Sequence, residues 1–275
     1  MNINSLPTNN SWLKKASRIL RDNDIDSAYI DALIILSFVL DKSKTEIIAN
    51  PNQTIRSDLN IKANKLIQRR LASEPIAYLT NSIEFYGYNF FVDSRVLVPR
   101  PESESFINLL HKLGVSSFKY ISDIGCGSGV LGITAKLEFP DLKVELLDND
   151  PQALEVAKTN VLKHNREEIE VKNSDLTSKI NPKCEIMLAN LPYVPDDMPV
   201  SRDISFEPKS AIFSGPDGLS HYHKLITSLE QAKLKPKFIL IECLAEQSET
   251  MTNLLSFLSY RLIADEGLVS AFKKN

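Results

Sequence analysis

Apolar residues recur at helical spacing in the first 74 residues, as Leu59, Ala63, Leu66 and Ile67 illustrate. This spacing puts apolar side chains on one face of a helix, where a core can cover them. Polar residues that can accept hydrogen bonds from free backbone amides precede these runs. We therefore expect a helical domain over residues 1–74, with helices from a cap at Asn10 or Ser11 to Arg21, from just after Asp26 to Leu40, and, after a cap at Ser57, from Asp58 to about Ser73.

The pattern changes at Pro75, where aromatic and β-branched residues replace the helical spacing. Residues 83–92 have this character around Gly87, which predicts a β-hairpin. Two prolines then flank Arg100 and restrict the backbone to an extended path. We expect the next helix to begin near Glu102. Residues 75–100 are therefore interpreted as a β-hairpin linker.

From Phe118 onward, apolar runs of strand length alternate with segments of helical period. This alternation is typical of a doubly wound α/β fold, a parallel sheet with helices on both faces. We predict a mostly parallel seven-stranded sheet in a second domain, residues 101–275. Its strands are expected at 119–124, 143–148, 168–172, 185–189, 237–242 and twice in the tail, with helices at 130–138, 151–165, 218–233 and 245–258.

Composition and charge narrow the class of protein. The chain has 275 residues and a formal net charge of −3, whereas proteins that bind a phosphate backbone are usually strongly basic. Nucleic acid is therefore not expected as the direct substrate. Three scattered cysteines fit neither a disulfide framework nor a metal site. The apolar run 32–40 is too short to span a bilayer, and no signal-peptide pattern precedes it, so we expect a cytoplasmic protein without membrane contact.

Four of the nine glycines fall between positions 125 and 132, at a predicted strand-to-helix turn. Val130 stands where the dinucleotide-binding pattern needs glycine, so a pyrophosphate ligand is disfavoured. Asp123 at the strand end favours a cation, and S-adenosylmethionine carries both a sulfonium and an ammonium group. A purely structural turn is the alternative. The residues expected to bind this cofactor here are Asp123, Ile124, Gly125, Cys126, Gly127 and Gly129.

Two later strand ends add polar residues to the same edge of the sheet. Asp148 ends the second strand, where an acid can accept hydrogen bonds from both ribose hydroxyls. The alternative role for Asp148 is to cap the next helix, although Asp150 is better placed for that. After the third strand, Asp175 is expected to accept from the adenine amino group and Leu176 to cover one face of the ring.

The fourth strand ends in Asn190-Leu191-Pro192-Tyr193. The Asn190 side-chain oxygen and the Leu191 carbonyl can each accept one hydrogen of a planar NH₂ group, and Tyr193 can stack on it. An amide nitrogen is a poor nucleophile, and two acceptors would aim its lone pair at a methyl carbon. We therefore predict that Asn190 and Tyr193 are catalytic and that all four residues bind substrate. A proline turn that only ends the strand is the alternative.

Taken together, these residues resemble the peptide chain release factor glutamine N5-methyltransferases, a family with the Rossmann-like class I S-adenosylmethionine-dependent fold. The resemblance covers about residues 70–250. Its most specific blocks are LVPRPESE at 97–104, then Glu-Pro at 207–208 and Asp-Gly-Leu at 217–219. The remaining matches are residues 75–79, 84–87, 123–129, 148, 190–193, 242 and 247.

The resemblance implies methyl transfer to the side-chain amide of the glutamine in the Gly-Gly-Gln motif of a release factor. It implies that the helical domain helps to hold this protein partner, and we expect the enzyme to act as a monomer. It also implies that Asn190 and Tyr193 grip the amide. The residues that match the cofactor contacts of the family are Asp123, Gly125, Gly127, Asp148 and Asn190.

The chain departs from the family pattern at two positions of the site. Leu191 replaces the first proline of Asn-Pro-Pro-Tyr, but activity should survive if the backbone carbonyl is the acceptor. Cys126 stands where threonine is common, and we expect it to pack rather than to react. Arg100 is expected to form a salt bridge to the C-terminal half, and a contact with the substrate is the alternative. Glu102 and Glu104 are expected to stabilise the first turn of a helix, and a gate near the cofactor is the alternative.

Two other functions stay open at this point. Asn-Leu-Pro-Tyr is also similar to the motif of ribosomal RNA adenine dimethyltransferases, which would make the chain an adenine-N6 methyltransferase. That function needs a basic groove, and it leaves the 98–104 block unexplained. The other alternative is a catalytically silent module that binds the cofactor and a translation partner.

Overall fold

The computed structural model describes residues 6–232 and 234–275 of the chain. The chain divides into two compact units. We call the first the helical unit, which comprises the chain up to Asn81 together with Ser201–Phe206. The second is the sheet unit, which comprises Ser82–Val200 and Glu207–Asn275. Each unit has its own buried apolar residues.

The helical unit packs amphipathic helices around one apolar core. Trp12, Leu20, Leu36 and Ile47 are each at most 3% exposed. The Trp12 indole also donates to the Asn64 side chain at 3.0 Å, so its polar atom is satisfied inside the unit. The helices are α1 (Asn9–Arg21), α2 (Ala28–Leu40), α3 (Lys44–Ala49), α4 (Ser57–Leu71) and α5 (Ile76–Thr80).

Two predicted helix caps were wrong. α1 begins after Thr8, whose hydroxyl accepts from the Ser11 amide while the Ser11 hydroxyl accepts from the Thr8 amide. Asn10 and Ser11 therefore lie inside the helix. α4 contains Ser57 as its first residue, and its cap residue, Arg56, makes no side-chain cap bond. Several neighbouring polar residues can serve as caps, so the pattern alone places a helix start only within a few residues.

Two short helices of this unit were not predicted from the sequence. α3 is stabilised by a capping box in which Ser43 and Glu46 each accept from the backbone amide of the other, at 3.1 and 2.9 Å. α5 follows Pro75 and contributes Leu79 to the core, so the helical unit extends past residue 74. Segments of five or six residues are too short to show a helical period.

The sheet unit begins with the predicted β-hairpin. β1 (Ile83–Phe85) pairs antiparallel with β2 (Tyr88–Phe90). The two turn residues, Tyr86 and Gly87, both have positive φ angles, of 51° and 76°. Such a turn matches the natural twist of two antiparallel strands. The extended lead-in then reaches a 3₁₀ turn at Pro101–Glu104 and α6 (Ser105–Leu113).

The seven-stranded sheet confirms the predicted fold class. Its strand order is β5-β4-β3-β6-β7-β9-β8, with parallel pairing from β5 to β7 and antiparallel pairing for β9 and β8. The strands are β3 (Tyr120–Ile124), β4 (Lys143–Asp148), β5 (Glu170–Asn173), β6 (Ile186–Ala189), β7 (Phe238–Glu242), β8 (Tyr260–Glu266) and β9 (Val269–Lys274), and the helices are α7 (Val130–Glu138), α8 (Pro151–Lys163), α9 (Ser220–Ala232) and α10 (Ser248–Phe257).

Helices cover both faces of this sheet because its central strands are apolar on both sides. In β6, Leu188 belongs to the core shared with α6, α7 and α8. Its neighbour Met187 belongs to the opposite core, shared with α9 and α10. Both side chains are fully buried. This burial explains why the sequences of these strands are continuous apolar runs and do not alternate between apolar and polar residues.

Most predicted boundaries in this unit lie within two or three residues of the observed ones. β5 begins at Glu170 rather than at residue 168. α9 begins at Ser220 rather than at Gly218, and its predicted last residue, Lys233, lies outside the described residues. Asp150 caps α8 by accepting from the Gln152 amide at 2.8 Å, as expected.

Among the described residues, no helix has the length and apolar character needed to cross a membrane. The three cysteines are free and buried. In the same part of the chain, no group of three or more His, Cys, Asp or Glu side chains is arranged to hold a metal ion.

Candidate active site

A cleft opens in the sheet unit at the carboxyl ends of β3, β4 and β6. The chain runs outward from β3 through β4 to β5, and then returns to place β6 on the other side of β3. A reversal of this kind is where doubly wound sheets bind their ligands. The predicted site residues that line the cleft are Asp123, Gly125, Cys126, Gly127, Asp148, Leu176, Asn190, Leu191 and Pro192.

The glycine turn after β3 forms the floor of this cleft. Gly125, Gly127 and Gly129 all have positive φ angles, a conformation that glycine adopts without strain. A Cβ atom on Gly125 would also lie 2.7 Å from a methyl carbon of Leu191. A Cβ on Gly127 would meet nothing within 4 Å. The turn therefore needs glycine for its backbone path, and at Gly127 it presents bare backbone on an open side.

Asp148 ties the glycine turn to the end of β4. Its two carboxylate oxygens accept from the backbone amides of Gly127 and Asp150, both at 2.9 Å. Burial raises the pKa of this carboxyl group, and the two amides oppose that rise. Each carboxylate oxygen has a second lone pair, so Asp148 can still accept two hydroxyl groups.

Asp123, the second-to-last residue of β3, is almost completely buried, at 1% exposure. One carboxylate oxygen accepts from the Gly132 amide at 2.9 Å, at the first turn of α7. Burial raises the pKa of Asp123 to about 7, and the neighbouring Asp148 charge adds to this rise. Among the described residues, the buried Asp123 carboxyl group has no cationic partner.

The residues of the cleft fit S-adenosylmethionine. Two arginines also line it, but Arg95 pairs with Asp93 and Arg100 with Glu207, at 2.6 and 2.5 Å. Asp123 and Asp148 have only backbone amides as partners in the part of the chain that the structure describes. The uncompensated charge in the cleft is therefore negative, which suits a sulfonium and an ammonium group. The open side of Gly127 leaves room for a ligand against the backbone.

Asn190 directly follows β6 at the edge of the cleft. Its Nδ2 donates to the Ser103 hydroxyl at 2.9 Å and to the Glu242 carboxylate at 3.2 Å. Among the described residues, no group donates to its Oδ1. The side chain is half-buried and lines the cleft. Asn190 therefore offers the cleft a hydrogen-bond acceptor.

Glu242 accepts hydrogen bonds from all the polar side chains described around Asn190. It ends β7 at 1% exposure and also accepts from the Ser103 and Tyr193 hydroxyls, at 2.7 and 2.8 Å. Burial raises the pKa of Glu242, and these hydrogen bonds oppose the rise. Sequence reasoning noted Glu242 only as part of the family pattern, and Ser103 only within the 97–104 block, because neither is near Asn190 in the chain.

Four predicted site residues do not line the cleft. The Ile124 side chain lies in the apolar core, and Gly129 is the cap residue that starts α7. Asp175 is exposed on a neighbouring groove. Tyr193 is half-buried, and burial beside Glu242 raises the pKa of its hydroxyl. The contacts expected of these four residues stay predictions.

The segment Val98–Arg100 is held by a buried carboxylate. Both oxygens of the fully buried Glu207 side chain are used: one accepts from the Val98 amide at 2.8 Å and the other from the Arg100 guanidinium at 2.5 Å. The expected salt bridge of Arg100 to the C-terminal half is confirmed. It fixes the path of the chain that delivers Ser103 to Asn190.

Cys126 lies in the glycine turn with 7% exposure. Burial raises the pKa of its thiol well above the ordinary value, and the charges of Asp123 and Asp148 add to the effect. A thiol with a raised pKa stays protonated and is a poor nucleophile. Cys126 also belongs to the apolar core shared with α6, α7 and α8, which agrees with the expected packing role.

Two family models match the chain. Residues 11–80 match the PrmC N-terminal domain, and residues 103–204 match the methyltransferase small domain. The first match lies in the helical unit, and the second contains the glycine turn and Asn190.

Relatives of known identity match most of the chain. The release factor glutamine methyltransferase of Clostridium acetobutylicum is 31% identical over 267 residues, which are 94% of this chain and 90% of the relative. That of Coxiella burnetii is 30% identical over 243 residues, 86% of each chain. The chain belongs to the release factor glutamine methyltransferases. The predicted family, enzyme class and dependence on S-adenosylmethionine are thereby confirmed.

Solved structures show the same fold at low sequence identity. The catalytic domain of hMettl16, crystallised with an RNA hairpin from the MAT2A 3'UTR, has a TM-score of 0.53. The match covers 79% of this chain and 81% of that chain, at 12% identity. This likeness concerns the arrangement of strands and helices and carries no information on the substrate.

Proposed function

We propose that the chain methylates the side-chain amide nitrogen of the glutamine in the Gly-Gly-Gln motif of a peptide chain release factor. The observation that carries this proposal is the Asn190 side chain, which lines the cleft, donates from its nitrogen to Ser103 and Glu242, and receives no hydrogen bond at its oxygen from the described residues. The names of the relatives support the class of substrate. The net charge of −3 supports a protein rather than a nucleic acid as the partner.

Residues at the ends of β3 and β4 would hold the cofactor. Asp148 accepts the ribose hydroxyls, and Asp123 faces the cationic part of S-adenosylmethionine. Gly125 and Gly127 let the cofactor lie against the backbone. When bound, the cofactor supplies a methyl group as a cation equivalent, so the nitrogen that accepts it gives up one proton to water.

Residues that follow β6 would hold the side-chain amide of the substrate. The Asn190 Oδ1 and the Leu191 carbonyl each accept one hydrogen of the substrate NH₂ group. Neither oxygen has a donor among the described protein groups, so both are available. Held in this way, the amide nitrogen cannot rotate, and its lone pair has a fixed direction. Positive charge that develops on the nitrogen strengthens both hydrogen bonds, which lowers the barrier.

The test is mass spectrometry of a full-length release factor after incubation with the chain and S-adenosylmethionine. The expected result is one added methyl group on the glutamine of Gly-Gly-Gln. A release factor whose motif glutamine is replaced by alanine is the matched control and should stay unmodified.

The same assay with ribosomal RNA separates the alternatives. Methylated adenine in the RNA, with an unmodified release factor, would show an adenine methyltransferase and contradict the proposal. Cofactor binding without transfer to either substrate would show a catalytically silent module.

A further inference from the structure

We infer that Glu242 is a positioning residue, which orients the Asn190 carboxamide so that its oxygen, and not its nitrogen, faces the substrate. This inference deepens the proposed function and rests on it. Glu242 does not touch the reacting atoms. It acts through Asn190.

The sheet places the two side chains next to each other. β6 and β7 are parallel neighbours, and their register pairs Ala189 with Ile241. The following residues, Asn190 and Glu242, therefore leave the two strand ends side by side. The Tyr222 hydroxyl lies 3.0 and 2.5 Å from the carbonyls of Ala189 and Glu242 and is fully buried. This contact fixes the spacing of the strand ends.

The hydrogen bonds of this corner allow only one orientation of the amide. The Ser103 hydroxyl uses its single hydrogen on Glu242, at 2.7 Å. A carboxylate has no hydrogen to give. Both groups next to Asn190 therefore act only as acceptors, and each receives a hydrogen from Nδ2. A rotated amide would place its oxygen against two other oxygens with no hydrogen between them.

The orientation decides whether the substrate can bind. The side-chain NH₂ of a glutamine donates two hydrogen bonds and needs acceptors in the cleft. With Oδ1 toward the cleft, Asn190 supplies one. With the amide rotated, the hydrogens on the Asn190 Nδ2 would face the hydrogens of the substrate NH₂ group, and no hydrogen bond could form. Glu242 also accepts from the Tyr193 hydroxyl through its other oxygen, at 2.8 Å, so it holds both residues that were predicted to grip the amide.

The first variant is Glu242→Gln, which keeps the shape and replaces one acceptor oxygen by a donor. The Asn190 amide then loses its fixed orientation. We expect kcat for methyl transfer to fall by about a hundredfold, which is the typical effect of losing one preorganised hydrogen bond at a reacting group. The Kd for S-adenosylmethionine should stay unchanged.

A matched control is Glu145→Gln. Glu145, in β4, is also a buried carboxylate and also accepts from a serine, Ser122, at 2.5 Å, and it pairs with Lys172 at 2.8 Å. It does not line the cleft. We expect kcat of this variant to equal that of the wild type, which separates the orientation of Asn190 from the general cost of a buried carboxylate-to-amide change.

The decisive variant is a swap. Asn190→Asp alone puts two carboxylates side by side, which is unfavourable, and should be inactive. In the double variant Asn190→Asp/Glu242→Gln, the new amide can donate to the new carboxylate, whose other oxygen still accepts from the substrate. We expect its kcat to exceed that of Asn190→Asp by about tenfold, because the complementarity is restored. A double variant no better than the worse single variant would overturn the inference.

A second readout does not depend on the substrate. Urea unfolding of the same variants, without cofactor or release factor, measures the coupling between positions 190 and 242. We expect the double variant to unfold at higher urea than Asn190→Asp, and additive destabilisation would contradict the inference. If the wild type fails to methylate the release factor, the proposed function is wrong, and the unfolding series still decides whether Glu242 orients Asn190.

Discussion

Burial and hydrogen-bond partners determine what single residues of the cleft can bind. Asp123 and Asn190 each use one side of a planar group inside the protein and leave the other for a ligand. Burial of Asp123 also raises its pKa to about 7. Both residues are therefore expected to be sensitive to small changes in charge or in hydrogen-bonding capacity.

Replacing Asn190 by alanine removes one of the two acceptors for the substrate amide. We expect kcat for methyl transfer to fall by about a hundredfold or more. The free energy of unfolding should change by only about 1 kcal/mol, because the side chain is half-buried and its partners keep other hydrogen bonds. Single-turnover assays and urea unfolding give the two values. Full turnover by this variant would refute the amide grip.

The raised pKa of Asp123 predicts a dependence of stability on pH. A carboxyl group whose folded pKa is about 7 binds its proton more tightly in the folded state than in the unfolded state, where the pKa is 3.8. Its contribution to stability is therefore complete below pH 3.8 and is lost as the pH rises to 7. We expect Asp123→Asn, which can still accept from Gly132, to lose less stability than the wild type between pH 4 and pH 7.

Binding of S-adenosylmethionine should show the opposite trend. A cationic ligand favours ionised Asp123, so the wild-type affinity should rise between pH 6 and pH 8 beyond any change in Asp123→Asn. Calorimetric titrations of both proteins at these pH values measure the difference. Parallel pH profiles would contradict a contact between Asp123 and the cationic part of the cofactor.

At the scale of elements, the glycine turn after β3 needs glycine at position 125 for two reasons, the positive φ angle and the contact with Leu191. Gly125 has a φ of 66°, and its missing Cβ leaves space for Leu191, the residue that departs from the family's proline. This contact shows one result of the substitution: the Leu191 side chain packs onto the turn that is expected to hold the cofactor.

Gly125→Ala tests this packing. We expect a loss of about 1–2 kcal/mol from the left-handed backbone alone, and a further loss from the contact with Leu191. Gly87→Ala is the matched control, because Gly87 has a φ of 76° but nothing within 4 Å of the added Cβ. Thermal unfolding compares the two. Equal losses would show that the Leu191 contact costs nothing, and weaker cofactor binding is expected only for Gly125→Ala.

Most strands and helices of the sheet unit could be predicted, because long apolar runs and clear periods define them. The short helices α3 and α5 could not, since they depend on a capping box and on packing of Leu79. The strand-end residues that line the cleft could be predicted from their position in the chain alone. The partnership of Asn190 with Glu242 and Ser103 could not, because it depends on strand register and joins residues 52 and 87 positions apart.

On the scale of the whole molecule, the chain contains separate cores in its two units. All residues that line the cleft belong to the sheet unit. The energy of cofactor binding is therefore expected to stabilise that unit directly.

Hydrogen exchange should show where this energy acts. At a cofactor concentration of about 100 times the Kd, linkage predicts about 2.7 kcal/mol of added stability. We expect slower exchange in the glycine turn and in the ends of β3, β4 and β6, with little change in the amides of α1 and α2. Exchange measured by mass spectrometry with and without S-adenosylmethionine gives the comparison. Equal protection of the helical unit would contradict a cleft confined to the sheet unit.

The position of β9 has a consequence for the design of shortened or tagged versions of the enzyme. β9 follows β8 in the chain but lies between β7 and β8, and it pairs Val269 with Glu242. Removing it would leave β7 with a row of free amides and carbonyls, which other chains could bind as an added strand. Although β9 contributes no residue to the cleft, its deletion would thus promote aggregation and loosen the Glu242 carboxylate that contacts Asn190.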